Sequence, residues 1–126
     1  MRLLLDTHIW LWLVDGSPRL RVREQLKDLN NQLWLSPMST WEALTLQRKG
    51  RILFDREPKD WVAHATAGTK EAPLTHEIVF VARNLPLHED PADRILAATA
   101  QVLDLILVTA DERLLGLPAI RTMANR

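Results

Sequence analysis

Residues 91–111, PADRILAATAQVLDLILVTAD, decide the fold of this chain. Pro91 suits a first helical turn, and Ile95, Leu96, Ala98, Thr99 and Val102 recur at helical spacing, which predicts a helix from Pro91 to about Leu103. Leu105 to Val108 form a continuous apolar run, the pattern of a strand buried on both faces of a parallel sheet. Thr109-Ala110-Asp111 then leaves the strand and enters a short helical turn through Leu115.

The same alternation extends in both directions. Leu3 to Leu5 read as a buried strand closed by Asp6, and Thr7 to Val14 as a helix ended by Gly16-Ser17-Pro18. Pro18 can open a second helix, Arg19 to Leu29. Gln32 to Leu35 supply a strand that Ser36-Pro37 break, and Ser39 to Lys49 a helix that stops at Gly50. Asp60 to Ala67 and Glu77 to Asn84 read as helices, Ala72 to Thr75 as a short strand, and Ile120 to Met123 as an edge strand. Strand and helix patterns alternating in this way predict an α/β fold of three layers, α/β/α, around a central, mostly parallel sheet. With 126 residues and 47% hydrophobic composition, the chain is the size of one domain with one substantial core, so a single domain is expected over residues 1–126.

Composition narrows the chemistry. Sixteen basic residues balance sixteen acidic ones, which excludes a nucleic-acid binder of the strongly basic kind and leaves an anionic substrate to local patches or to a metal. The absence of cysteine excludes disulfides and thiolate-ligated zinc or iron–sulfur sites, and suits a reducing compartment. The apolar segment 3–14 is interrupted by Asp6 and His8, is too short to span a bilayer and lacks signal-peptide flanks, so a cytoplasmic protein that does not enter membranes is expected.

Four acids fall where a strand hands over to a helix: Asp6, Glu42, Asp93 and Asp111. Ligands of open α/β sheets bind in the crevice outside the carboxyl ends of the strands. Carboxylates crowded there repel one another, which raises their pKa values unless a cation sits among them. Oxygen ligands of this kind favour Mg²⁺ or Mn²⁺.

Each acid also has a local explanation. Asp6 can favour the helix dipole, Glu42 completes the capping-box pattern Ser39-Thr40-Trp41-Glu42, and Asp93 falls in a first turn capped by Asp90. Thr109 and Glu112 have capping-box spacing too, which leaves Asp111 the least explained by capping. What capping does not require is that all four share one rim. His8, His64, His76 and His88 show no zinc-type spacing, although His8 and His88 lie near the acids in sequence. Trp10, Trp12, Trp34 and Trp41 fall in apolar segments and read mostly as core, with Trp12 able to face outward.

The segments LLLDTHIWLWL, SPMSTWEALTLQRKGRI, HEDPADRILAATA and LILVTADERLL, taken together, resemble the PIN-domain family, specifically the VapC-type toxins of bacterial toxin–antitoxin pairs. The most specific piece is His88 to Arg94, H-x-D-P-x-D-R. The resemblance implies a Mg²⁺- or Mn²⁺-dependent endoribonuclease whose acids match Asp6, Glu42, Asp93 and Asp111, with Thr109 matching the polar residue beside the last. It also implies a homodimer silenced by a small antitoxin. Some relatives carry a further acid a few positions after the one matching Asp111, where this chain has Leu114 and Leu115.

On this reading Asp6 and Asp93 hold the main metal directly, with Glu42 and Asp111 completing its shell through water or serving a second ion. RNA phosphates are steered from among Arg19, Arg21, Arg23, Arg48, Lys49, Arg51 and Arg94, several of which equally suit a solvated helix face and the last of which could instead pair with a neighbouring carboxylate. Some of Trp10, Trp12, Leu46 and Leu53 line an apolar groove for an antitoxin helix or else belong to the core. Two alternatives differ in class. A non-catalytic module would keep the acids only as caps. A phosphoryl-transfer domain of receiver or haloacid-dehalogenase type would need a late lysine, whereas the last here is Lys70, and the dehalogenase pattern wants an acid where His8 stands.

Overall fold

The computed structural model describes residues 1–126. Its strands are β1 (Arg2–Leu5), β2 (Gln32–Leu35), β3 (Lys70–Glu71), β4 (Ile106–Thr109) and β5 (Arg121–Ala124). Its helices are α1 (Thr7–Asp15), α2 (Arg23–Lys27), α3 (Pro37–Arg48), α4 (Pro58–Ala65), α5 (His76–Asn84), α6 (Pro91–Val102) and α7 (Glu112–Leu115). The strands form one wholly parallel sheet in the order β3-β2-β1-β4-β5.

Period-two alternation sorts the central strands between two cores. Leu3 and Leu5 of β1 and Val108 of β4 pack with Ile9, Trp10, Leu26, Ala43 and Trp61 of α1–α4. Leu4 and Leu107, one residue out of phase, pack with Ile78, Ala82, Leu96, Ala97 and Leu114 of α5–α7. A strand that must be apolar on both faces is a continuous run, which is why LLL and LILV carry no alternation in sequence. The α/β/α layering expected from sequence is therefore the observed one.

Strand order places the crevice. The chain steps from β1 outward to β2 and β3, then crosses to β4 on the other flank of β1 and steps on to β5. Connections leaving β1 and β4 diverge to opposite faces, and the gap between their carboxyl ends is the topological switch point of the sheet. Because Leu5 pairs with Val108, Asp6 stands beside Thr109 at that gap. Helix α3 meets both α1 and α6 and so brings Glu42 over the strand ends.

Several boundaries differ from expectation, each for an identifiable reason. The Arg19–Leu29 helix shrinks to Arg23–Lys27, because the Asn125 side chain accepts from Arg21 N at 2.7 Å and donates to Arg19 O at 2.8 Å, satisfying in tertiary contacts the backbone groups a helix would have used. The strand expected at Ala72–Thr75 is instead Lys70–Glu71: Pro73 has no N–H to pair, and Thr75 caps α5 by accepting from Ile78 N. Ser36 and Pro37 do not merely break β2; they are the N-cap and first residue of α3. Ser39 is thus buried inside that helix, the Ser39–Glu42 capping box does not exist, and the Glu42 carboxylate is free to face the cleft.

Of the two roles open to Arg94, steering RNA or pairing with a neighbouring carboxylate, burial excludes the first and Glu89 supplies the second. The Arg94 side chain is 10% exposed, and its guanidinium donates to the carbonyls of Ala82, Leu85, Leu87 and His88, with Glu89 Oε1 at 3.2 Å. It ties the 85–89 connection to the first turn of α6, and so fixes the approach of His88 to Asp93. Arg94→Ala leaves these carbonyls short of donors, and we expect a loss of about 2–4 kcal/mol in urea unfolding; a change below about 0.5 kcal/mol would mean that water replaces the guanidinium without cost.

Candidate metal centre

Asp6, His8, Trp12, Glu42, Asp90, Asp93, Ala110, Asp111 and Arg113 line one cleft of about 320 Å³ at the switch point. All four acids singled out in the sequence reach it, and Asp90 adds a fifth carboxylate whose capping role had hidden it. Each arrives on a different element. Asp6 is the extended N-cap of α1, Glu42 lies in the second turn of α3, Asp93 in the first turn of α6, and Asp111 is the N-cap of α7. That last assignment corrects the sequence reading, since Asp111 accepts from Arg113 N at 2.9 Å while Thr109 caps nothing.

The Thr109 hydroxyl has another task. It donates to Asp6 Oδ2 at 2.6 Å and accepts from Asp111 N at 3.0 Å, linking the end of β1 to the start of α7. Asp6 Oδ1 accepts from Thr7 N at 2.8 Å. The buried Thr7 hydroxyl contacts Glu42 Oε1 and lies 2.9 Å from Ser39 Oγ. As a hydroxyl has one proton and an ionised carboxylate can only accept, Thr7 donates to Glu42 and takes its second bond from Ser39. His88 Nε2 stands 2.7 Å from Asp93 Oδ2, and His88 Nδ1 is buried without a partner. The neutral tautomer with its proton on Nε2 places a donor against the carboxylate and leaves only a lone pair unsatisfied.

Burial is the first cause of the charge state here. Desolvation raises the Asp6 carboxyl above its ordinary range, opposed by the Thr109 hydroxyl and reinforced by the charge of Asp93. Glu42 is raised by burial, against the Thr7 hydrogen bond and with repulsion from Asp6, Asp90 and Asp93. Asp93 is raised by burial, against His88 and with repulsion from Asp90 and Asp111. The direction is the one expected of crowded acids, although mutual repulsion is secondary to lost hydration. Asp111 goes the other way, because the Arg113 guanidinium hydrogen-bonds it.

The donor set is oxygen from carboxylates, which suits a hard divalent cation. Asp93 Oδ1 and Glu42 Oε2 engage no donor of the protein, and each Asp6 oxygen accepts one bond while retaining a further lone pair. No three acidic or histidine side chains stand close enough to enclose an ion by themselves. An ion bound here would keep much of its water, which is the ordinary habit of Mg²⁺, held through one or two carboxylates. On those terms the residues fit the cation.

Of the basic residues expected around the cleft, none lines it. Arg23 donates to the carbonyls of Trp12, Leu13 and Ser17 at the end of α1, and Arg94 is buried. Arg19, Arg21, Arg48, Lys49 and Arg51 are exposed elsewhere. The cation that does line the cleft is Arg113, which the sequence reading missed; its place two residues after an N-cap acid, where it can fold back, was the available signal. The tryptophans also divide. Trp10 is fully buried, donates to Ala65 O at 2.9 Å and packs edge-on to Trp61, so it cannot line an antitoxin groove, whereas Trp41 is 68% exposed rather than core.

A family profile described as PIN domain matches residues 3–119. The fold superposes on VapBC2 from Rickettsia felis, solved bound to a DNA fragment from their promoter, with a TM-score of 0.75 at 16% identity over 98% of each chain. It also superposes on a toxin–antitoxin complex from Klebsiella pneumoniae (TM-score 0.70, 19% identity, 98% of this chain and 97% of that one). DNA-bound VapBC from Salmonella typhimurium is similar too (TM-score 0.69, 16% identity, 100% of this chain and 99% of that one). No curated protein matches in sequence.

Three outcomes follow from the charge balance. An acid whose folded pKa is raised binds more protons folded than unfolded, so its contribution to stability is present at low pH and is lost as pH rises through the raised value. The metal-free protein should therefore gain thermal stability as pH is lowered from neutrality through the raised values of Asp6, Glu42 and Asp93, above the ordinary carboxylate range. Asp111, lowered, loses its contribution only below the ordinary carboxylate range. Asp6→Asn should raise the midpoint in EDTA by on the order of 2–4 °C and remove any stabilisation by Mn²⁺; a lowered midpoint with the Mn²⁺ shift intact would contradict this account. Thr109→Val should push the Asp6 carboxyl further up in an NMR titration, and an unmoved Asp6 would show that the hydroxyl does not support its charge.

Proposed function

The chain belongs to the PIN domain family, and on that premise we propose that it is a VapC-type toxin, a divalent-metal-dependent endoribonuclease that hydrolyses RNA phosphodiester bonds in the cytoplasm. The observation that carries this reading is the gathering of Asp6, Glu42, Asp93 and Asp111 from four separate elements into one cleft at the switch point. Local capping accounts for Asp6 and Asp111 but not for Glu42, which caps nothing, or for a shared cleft.

In this reading Asp6 and Asp93 hold the ion, with Glu42 and Asp111 flanking it. Mg²⁺ or Mn²⁺, when bound, supplies positive charge against the phosphate and acidifies water beside it. The protein's part is to keep the carboxylates ionised and oriented: Thr109 and Thr7 N hold Asp6, His88 holds one oxygen of Asp93 and leaves the other open, and Thr7 turns Glu42 inward. Glu42 sits within α3 and Asp6 at the tight junction of β1 and α1 rather than on a long loop, which suits an in-line reaction that depends on positioning.

The structural neighbours named as toxin–antitoxin complexes support a cognate antitoxin as partner. Exposed apolar side chains, among them Trp41, Leu53, Val79 and Phe80, offer this chain surface for the antitoxin and for a second copy of itself. The alternative reading, a non-catalytic RNA- or protein-binding module, draws on the caps that Asp6, Asp90 and Asp111 form, since these acids have a structural use without an ion.

Incubating purified protein with RNA separates the two. We expect cleavage with Mg²⁺ or Mn²⁺, none in excess EDTA, and a fall of at least about 10²-fold for Asp6→Asn or Asp93→Asn. Cleavage that survives EDTA or either substitution contradicts the mechanism, and a stable protein that binds RNA without cutting it returns the module. Light scattering should give twice the 14.5 kDa chain mass for the free protein; a monomer at micromolar concentration would remove the dimer.

A further inference from the structure

A cleft lined by five carboxylates is a poor receptor for a polyanion, and the exposed basic residues on other surfaces do not reach it. Arg113 does. Its Nε lies 3.2 Å from Asp111 Oδ1 and its Nη2 3.0 Å from Asp111 Oδ2, a two-point fork, while Nη2 is also 3.8 Å from Asp93 Oδ2. It is the one Lys or Arg side chain lining the cleft. The side chain remains 61% exposed, so the carboxylates hold it without enclosing it.

From this geometry we propose that Arg113 is the phosphate-receiving group of the cleft, parked on Asp111 in the free protein and transferred to a phosphodiester of the incoming RNA. This rests on the ribonuclease reading above and names the residue that makes contact with the substrate backbone. A guanidinium fork that grips a carboxylate at two points matches two phosphate oxygens equally well, which an ammonium does not. Exchange is easy because exposed ion pairs are weak. The Asp111 side chain, 25% exposed, can take up water when the arginine leaves. Nor does the move disturb α7, since the cap bond from Arg113 N to Asp111 Oδ1 uses the backbone and stays.

The parked state has a second effect. Asp111 accepts from the Arg113 backbone and guanidinium through both oxygens, whereas Asp6, Glu42 and Asp93 each retain acceptor capacity toward the cleft. Before RNA arrives, the protein thus neutralises the acid nearest Arg113 and leaves Asp6, Glu42 and Asp93 open to the cleft, with Asp90 engaged in capping α6. Release of Arg113 to a phosphate would return Asp111 to the cleft as substrate enters.

The test uses wild type, Arg113→Ala and Arg113→Lys with a fluorescently labelled 2′-O-methyl single-stranded RNA in Ca²⁺, a larger ion that acidifies its water less than Mg²⁺ or Mn²⁺ and so holds the probe uncut, following anisotropy across a salt series. For Arg113→Ala we expect affinity about tenfold weaker and a slope of log K against log salt shallower by about 0.7, the loss of one phosphate contact on a single strand. Arg113→Lys should keep most of the slope and recover only part of the affinity. With cleavable RNA, Arg113→Ala should raise KM more than it lowers kcat. Unchanged affinity and slope in Arg113→Ala, whatever its thermal midpoint, would overturn the assignment and reduce Arg113 to an ion pair at a helix end. Wild-type protein that neither binds nor cuts RNA would overturn the ribonuclease reading itself, and this inference with it.

Discussion

All five strands run in one direction, so every passage from strand into following structure occurs along a single edge of the sheet. That constraint produces the candidate site. Residues far apart in sequence, such as Asp6 and Asp111, become neighbours because β1 and β4 pair in register and both end there. Glu42 and Asp93 arrive from the layers above and below, since α3 and α6 meet beyond the strand ends. The two cores on either face of β1 and β4 make this edge rigid, and rigidity is what a site built by positioning requires.

Rigidity at the edge has an electrostatic consequence. Carboxylates drawn out of water lose hydration and are pushed toward their neutral forms, and the surrounding hydroxyls, the Thr7 peptide N–H and the His88 imidazole recover part of that loss. Thr7 and Thr109 occupy buried positions where valine would fill similar volume, and their hydroxyls are the difference between a packed core and a set of supported acids. The remaining imbalance is negative. It is the property that a divalent cation would relieve, and a cleft with open carboxylate oxygens but no closed cage suits an ion that retains its water.

The basic residues divide the opposite way. Arg94 is used for architecture, threading the carbonyls of the connection that precedes α6, and Arg23 serves the carboxyl end of α1. A formal charge of zero conceals this separation of roles: five acids share one cleft, while the lysines and arginines other than Arg113 lie outside its lining, among them Arg23 and Arg94 on backbone carbonyls. Arg113, placed by a single turn of helix, is the exception that faces the acids.

Much of this was legible in the chain itself. Unbroken apolar runs such as LLL and LILV can be strands only if both faces are covered, and their alternation with amphipathic helices leads directly to a layered parallel sheet. Asp6 and Asp111, just beyond those runs, had to lie near one edge, whereas Asp93 follows helix α5 rather than a strand and Glu42 lies in the second turn of α3, so their arrival was settled by helix packing. Tertiary structure decided what each polar group does there. Ser39-x-x-Glu42 and Thr109-x-x-Glu112 both have the spacing of a cap, yet α3 starts three residues earlier at Ser36, and the Thr109 hydroxyl is taken by Asp6 across the sheet. Nor could a local window reveal that Arg94 is buried among carbonyls, or that Asn125 would unwind the start of α2. Spacing along a chain specifies which backbone groups are close at hand, but a hydrogen bond goes to whichever partner the packed layers bring nearest, and that is settled only when the strands pair.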